Sequence, residues 1–339
     1  LHPNRNREFN RRTQASHLKF EVEKMKIKKE YFILGAIILA LAVYLYQRST
    51  DRTHYTLPAV PALAAADISK IQLTRAAETV VLVRKDGRWL IDPSGYPVDP
   101  KLAQEMLDTL SGLTLTALVS ESKNYALYEL DDAQKANVKA WQKDQLIRDI
   151  DVGKAAPSFR HTFVRIAGDD RVFHGQDNFS FRFRTRVEDL RDKTVLSINR
   201  TDIQELQIKT DGASLTLLRA PAAGEAPPAG QAAASTWQSS DGRPVNGSAV
   251  ESLLSELSNL QADAFIEGRD KAAFGPPAYS ILLKGPQEHS LALFAPAGTD
   301  SKDHPTVSSG SAFPFSLSED HAQRIMKNPE DFFKTEEKK

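Results

Sequence analysis

The sequence predicts an α+β protein: two tandem repeated units, each an antiparallel β-meander with a packed helix, behind one N-terminal transmembrane helix. Three observations carry that expectation. The chain runs from Tyr31 to Tyr46 without a charge. The segment Asp67-Ile68-Ser69-Lys70-Ile71-Gln72-Leu73 returns 135 positions later as Asp202-Ile203-Gln204-Glu205-Leu206-Gln207-Ile208, and Val80, Leu82 and Arg84 return at the same offset as Leu215, Leu217 and Arg219. Val98, Met106, Leu107, Leu110 and Leu113 return 147 positions on as Val245, Leu253, Leu254, Leu257 and Leu260, with Trp89 answered by Trp237 one step out of register. The change of offset marks an insertion, visible as the Ala/Pro/Gly tract Ala220 to Ala234. No chemically reactive side chain recurs with the repeat, which points to a scaffold or a binding module.

The uncharged run reads YFILGAIILALAVYLY, 16 residues, or roughly 24 Å as helix. A bilayer core asks for slightly more. Lys28, Lys29 and Arg48 can snorkel, and Tyr31, Tyr44 and Tyr46 stand at the two rims, which makes up the difference. A cleaved signal peptide is the alternative, but no small-x-small pair follows the run, which ends in Tyr-Leu-Tyr-Gln-Arg. Lys24, Lys26, Lys28 and Lys29 precede the helix, and Arg48 and Arg52 follow it, partly offset by Asp51. The positive-inside rule therefore places the N-terminus in the cytoplasm and the bulk of the chain outside. Met25 followed by Lys-Ile-Lys-Lys resembles the start of such an anchor, so residues 1–24 read as a misassigned start or a short polar tail.

Each element of the repeats has a local reason. Ile68, Ile71 and Leu73 open a first strand, Thr79 to Arg84 form a second, and the turn Lys85-Asp86-Gly87-Arg88 leads to a third, Trp89 to Ile91. Asp99-Pro100 supplies an N-cap acceptor and a first-turn proline. The helix that follows sets Leu102, Met106, Leu107 and Leu110 on one face. In the second unit Ser248 and Glu251 have capping-box spacing, with Val250, Leu253, Leu254 and Leu257 on the buried face. Asn137 to Gln142 and Leu146 to Val152 flank a Lys143-Asp144 turn, and Thr162 to Ile166 and Arg171 to His174 flank Gly168-Asp169-Asp170. Tyr279 to Lys284 and Ser290 to Phe294 are the weaker counterparts. Both units close on aromatic alternation, Phe179-Ser-Phe181-Arg-Phe183 and Phe313-Pro-Phe315-Ser-Leu317. The tract Ala220 to Ser235 reads as a flexible surface loop. The chain thus divides into a cytoplasmic tail at 1–30, an anchor at 31–48, a Pro/Ala spacer at 49–66, repeat units at 67–200 and 201–333, and a charged tail at 334–339.

Composition narrows the chemistry. Lys plus Arg equal Asp plus Glu at 44 each, so no global field recruits nucleic acid. Cysteine is absent, which removes disulfides, thiol nucleophiles, thiolate zinc sites and lipoprotein attachment. If FRFRTR is a strand, Arg182, Arg184 and Arg186 share one face, where they form a candidate anion or partner contact or a solvated edge. Ser120-Glu121-Ser122-Lys123 has the S-x-x-K spacing of serine acyltransferases without their companion motifs. His289, Asp300, Asp303 and His304 are the densest group of possible metal ligands and lie in a polar, loop-like stretch. Trp89 and Trp237 occupy matching strand ends, where packing on the next helix is the natural role, and Trp141 is the remaining tryptophan. The chain has no phosphate-cradling loop, dinucleotide turn or nucleophile elbow. The expectation is a protein without catalytic, cofactor or metal site.

One anchor, a spacer, tandem units of the form I-x-x-I-x-[LI]…W-x…P-V-[DN]…helix, and the segment Leu190-Arg191-Asp192-Lys193 together resemble the bacterial domain-of-unknown-function family DUF4340. The resemblance extends over nearly all of residues 31–333, with Trp89 to Leu110 and Leu190 to Lys193 its most specific parts. It implies a single-pass protein of the bacterial inner membrane with its bulk in the periplasm. It also implies a partnership with an ABC-2-type permease and ATPase and with a gliding-motility-type auxiliary subunit. The function expected on that basis is a non-enzymatic extracytoplasmic accessory or scaffold subunit of an ABC-type transport complex. The alternative is an envelope lipid-, glycan- or peptide-binding module using the arginine strand.

Overall fold

A computed structural model describes residues 29–48, 55–76, 78–220, 236–296 and 301–334. The chain divides into two compact units, Leu1–Thr56 and Leu57–Lys339. In the first, helix α1 spans Lys29–Arg48. Its 20 residues make about 30 Å, the thickness of a hydrocarbon core. The helix outruns the uncharged stretch because charged residues continue it at both ends, and all its described side chains are exposed. It is the one helix among the described residues long and apolar enough to cross a membrane.

The second unit opens with three strands, β1 (Lys70–Arg75), β2 (Glu78–Lys85) and β3 (Arg88–Asp92), then helix α2 (Pro100–Ser111). Next come β4 (Leu115–Ser120), β5 (Ala136–Gln142), β6 (Gln145–Ala155), β7 (His161–Ile166) and β8 (Val172–Gln176). Two single helical turns, α3 (Ser180–Phe183) and α4 (Val187–Leu190), lead to a linking strand, β9 (Thr194–Ser197). The second copy then follows: β10 (Glu205–Thr210), β11 (Ser214–Ala220), β12 (Thr236–Ser239) and helix α5 (Gly247–Leu257). It continues with β13 (Asn259–Gln261), β14 (Ala264–Phe265), β15 (Tyr279–Lys284), β16 (Glu288–Leu293), β17 (His304–Ser308), β18 (Phe315–Leu317) and helix α6 (Glu319–Ile325).

The two copies have one topology. The first sheet is ordered β3-β2-β1-β5-β6-β7-β8-β4 and the second β12-β11-β10-β15-β16-β17-β18-β14, the same permutation of eight strands. Equivalent backbone bonds recur: Arg84 N donates to Ser69 O at 3.0 Å and Arg219 N to Gln204 O at 2.8 Å. Asp99 N donates to Leu190 O, and Asn246 N to Phe332 O, both at 2.8 Å. In each copy the helix carries the chain from one edge strand to the other, so it must lie across the sheet and cover it. Its apolar stripe is what the sheet buries: Met106, Leu107 and Leu110 on α2, and Val250, Leu253, Leu254 and Leu257 on α5.

The expected hairpin and cap of the first copy form. Asp86 and Gly87 both take positive φ, 48° and 78°, the twist a two-residue hairpin prefers. Asp99 Oδ1 accepts from Leu102 N at 2.9 Å. The capping box expected in the second copy does not form. The N-cap of α5 is Asn246, with no side-chain cap bond to the backbone. Ser248 Oγ donates to Asn246 Oδ1 at 2.7 Å, and Glu251 is drawn away to Arg219 and Trp237.

Two further expectations are revised. FRFRTR is not a strand: Arg182 N donates to Phe179 O at 3.1 Å, closing the turn α3. Phe179, Phe181 and Phe183 are spaced by two, as on one strand face, and Phe179 and Phe183 are four apart, as on one helix face, so both periods fit the same residues. The helical choice buries both rings edge to face and leaves Phe181 56% exposed. The spacer at 49–66 is packed over its second part, since Val60, Leu63 and Ala65 rest on the first core. Arg148, 6% exposed, holds that stretch by donating to Pro61 O at 2.9 Å and to Leu110 O at 3.2 Å. Residues 1–24 and the tract 221–235 lie outside the described residues, as do residues 335–339 of the tail.

Met106 and Leu253 are equivalent and fully buried. Met106→Ala and Leu253→Ala should each cost about 2–5 kcal/mol in urea denaturation. A loss well under that for either would show that its helix does not seal its sheet.

Candidate functional site

The three arginines do not act together. Arg182 pairs with Glu105 at 3.4 Å and donates to Thr109 Oγ1 at 2.9 Å, tying α3 to α2. Arg184 pairs with Glu129 at 2.6 Å. Arg186 is exposed and lies near Glu188 and Asp189. Because the segment turns as a helix, the guanidiniums diverge instead of lining one face. Each already has a carboxylate neighbour, so the anion strand expected here is not built.

Ser120 and Lys123 do not form a nucleophile and base. Ser120 Oγ is bonded to Ser122 Oγ at 2.8 Å, and Lys123 is bonded to Asp170. Asp170 raises the lysine pKa, the opposite of what a general base needs. No group of three or more possible metal ligands occurs among the described residues. His304 Nδ1 lies 3.0 Å from Phe294 O, and Asp300 falls outside the described residues. Trp89 and Trp237 are buried, and Trp141 carries the Lys70 ammonium 4.0 Å above its ring.

Two features join the copies. The first is an aromatic joint. Tyr96 stacks on Phe313 with centroids 3.9 Å apart and meets Phe265 at 5.0 Å. Arg191 lies 4.1 Å over the Tyr96 ring and pairs with Glu267 at 2.6 Å. Burial raises the Tyr96 pKa, against the pull of Arg191. Phe265 packs against both principal cores. Beside it, β9 pairs antiparallel with β13, so the link between copies is itself a ladder. Gly310 lies against that link so closely that a Cβ would come within 2.6 Å of Val195 O.

The second feature is a groove of about 730 Å³ bounded by α2, the β2–β3 hairpin, the segment after α4 and Gly310. Trp89, Val98 and Leu107 give it apolar walls, and Arg84, Arg88 and Gln104 give it polar ones. Its volume is that of a small-ligand or side-chain cleft.

The chain matches a family model described as Domain of unknown function (DUF4340) over residues 89–278, more than half its length. It belongs to the DUF4340 family. No curated protein and no solved structure matches it. The DUF4340 match opens at Trp89 and ends at residue 278, just before β15, so it takes in α2, β9 and α5, with Tyr96, Arg191, Phe265 and Glu267 of the joint but not Phe313. Arg191 lies in the segment that carried the resemblance, and its side chain is 10% exposed under Glu267. Tyr96, Phe265 and Glu267 escaped sequence reading, because no period connects residues of two different copies.

The DUF4340 chain also carries a histidine pair on the first sheet, His161 and His174, stacked with centroids 5.0 Å apart. Burial, and secondarily His161, lowers the His174 pKa from its ordinary 6.5. The folded form therefore favours the neutral ring. The stability this contributes is complete above about pH 6.5 and is lost as pH falls from there through the lowered folded value. The urea midpoint should drop between about pH 7 and pH 5, and His174→Gln should flatten that drop. An unchanged slope in the variant would remove the pair from the pH response.

Proposed function

We propose that this DUF4340 protein is a non-enzymatic accessory or scaffold subunit of an ABC-type transport complex. It is held in the bacterial inner membrane by α1, with its N-terminus cytoplasmic and both repeats in the periplasm. It works by contact with an ABC-2-type permease and ATPase and a gliding-motility-type auxiliary subunit, and supplies no chemistry of its own. The observation that carries this reading is what the duplication preserves. Topology, crossover helix and backbone ties recur in both copies. The polar groups with catalytic spacing, Ser120 and Lys123, occur in one copy only and are tied to other partners. A body selected for its surface is expected to repeat its frame in this way.

The flanking lysines support the orientation through the positive-inside rule. Because the chain has no cysteine, a single introduced thiol reports its side without background. Ser122→Cys, at an exposed position of the first repeat, should react with a membrane-impermeant maleimide added to intact spheroplasts. Labelling only after lysis would invert the topology. Full-length protein purified in mild detergent should bring down a polytopic permease and an ATPase. Recovery alone, or with glycan or lipid, would overturn the accessory-subunit reading.

A further inference from the structure

The two copies differ at a polar position on their crossover helices, Gln104 in the first and Glu251 in the second. In the second, Arg219 and Trp237 are a directly opposed cross-strand pair on β11 and β12. Glu251 of α5 reaches both: Arg219 Nη2 donates to its Oε1 at 3.1 Å and Trp237 Nε1 to the same oxygen at 3.2 Å. The arginine lies 4.8 Å over the indole, and its side chain is only 11% exposed. A carboxylate, a guanidinium and an indole N–H thus close the second copy's helix onto its sheet edge.

In the first copy, Arg84 and Trp89 are the same cross-strand pair, on β2 and β3. The residue at the glutamate's place on the helix is Gln104, 147 positions before Glu251. Gln104 donates instead to Asp108 Oδ1 at 2.8 Å, where the second copy has Ser255. Arg84 is left exposed, and among the described residues its side chain has only the Ala66 carbonyl as acceptor, at 3.1 Å. Among the described residues, nothing accepts from the Trp89 indole N–H. Arg84, Trp89 and Gln104 all border the 730 Å³ groove, with Arg88 beside them. The one acidic residue lining it, Asp192, accepts from Thr194 N at 2.9 Å, and the two guanidiniums of Arg84 and Arg88 outnumber its charge.

We propose that this groove binds a carboxylate borne on an apolar stem, held by Arg84 and Trp89 where the second copy holds its own Glu251. The protein contains a picture of the bound state: the same donors already grip a carboxylate 147 positions along the chain. The stem has its surface in Val98 and Leu107, and the cation pair Arg84 and Arg88 supplies the charge complement. The carboxylate can come from a free small acid or from a glutamate side chain of a partner protein. The inference stands apart from the accessory-subunit reading, since it rests on the comparison of the two copies alone.

The test uses the full-length chain in detergent with its three tryptophans replaced by 5-fluorotryptophan and assigned through Trp141→Phe and Trp237→Phe. Hexanoate, and separately a short blocked peptide with one central glutamate, are titrated against hexanamide and the glutamine peptide as neutral controls. The Trp89 fluorine signal should shift saturably with a carboxylate and not with its amide, while the Trp141 and Trp237 signals stay put. Response to hexanoate identifies a small-acid site, and response to the peptide alone identifies a partner's glutamate. Gln104→Glu should move the Trp89 signal the same way without ligand and reduce the ligand's effect at least tenfold. Arg84→Ser should remove the response. The proposal fails if neither carboxylate moves Trp89, if the amides move it equally, or if Gln104→Glu leaves the ligand response intact.

Discussion

In each copy one helix has to seal an eight-stranded sheet, and the strand order makes this unavoidable. The helix leaves the edge strand β3 or β12 and must arrive at the opposite edge, β4 or β14, so it crosses the whole face it covers. Everything else is fitted around that crossing. The cap at Asp99 sets where the crossing begins. The buried stripe through Met106 and Leu110, and through Leu253 and Leu257, sets how the helix rolls. The turns α3 and α4 in one copy, and α6 with the turn Pro329–Phe332 in the other, close the remaining edge of each core. Without the helix, the central strands β1 and β10 would expose their apolar alternation to water.

The copies share apolar surface where they meet. Phe265 belongs to the second copy and packs against both cores, and Tyr96 of the first is held between Phe313 and Arg191. Packing of this kind is short-ranged and intolerant of gaps. A change in the angle between the sheets would have to break the stacked rings and the Arg191–Glu267 pair together. The two sheets therefore present one continuous body to whatever they touch.

Local order was legible in the sequence wherever a period or a turn residue specified it. The hairpin at Asp86-Gly87, the cap at Asp99 and both helix faces follow from neighbours a few residues apart. The alternation of FRFRTR misled, because spacings of two and four residues fall on the same phenylalanines. Glu251 misled for a different reason. Its spacing from Ser248 satisfies a local cap, yet its partners Arg219 and Trp237 stand 32 and 14 residues away and offer a charged bond, which outweighs a neutral cap. The strand order could not be read at all: β5 enters beside β1 after the chain has already built both edges, and pattern alone does not encode such an insertion. The candidate groove shows only when the copies are laid over one another, since Gln104 is unremarkable until its counterpart is seen at work.

Arg148 has a mechanical consequence. Its buried guanidinium has no carboxylate partner among the described residues; its Nη2 donates to the carbonyls of Pro61 and Leu110, one on the entering chain and one at the end of the crossover helix. Burial alone lowers its pKa, and the group stays charged because guanidinium deprotonates far above any physiological pH. Tension arriving along the chain from its N-terminal side would thus be taken up at Pro61 and passed to the helix before it reached β1. The arrangement works as a strain relief does on a cable: the load is carried by the clamp, and the first strand behind it hangs slack.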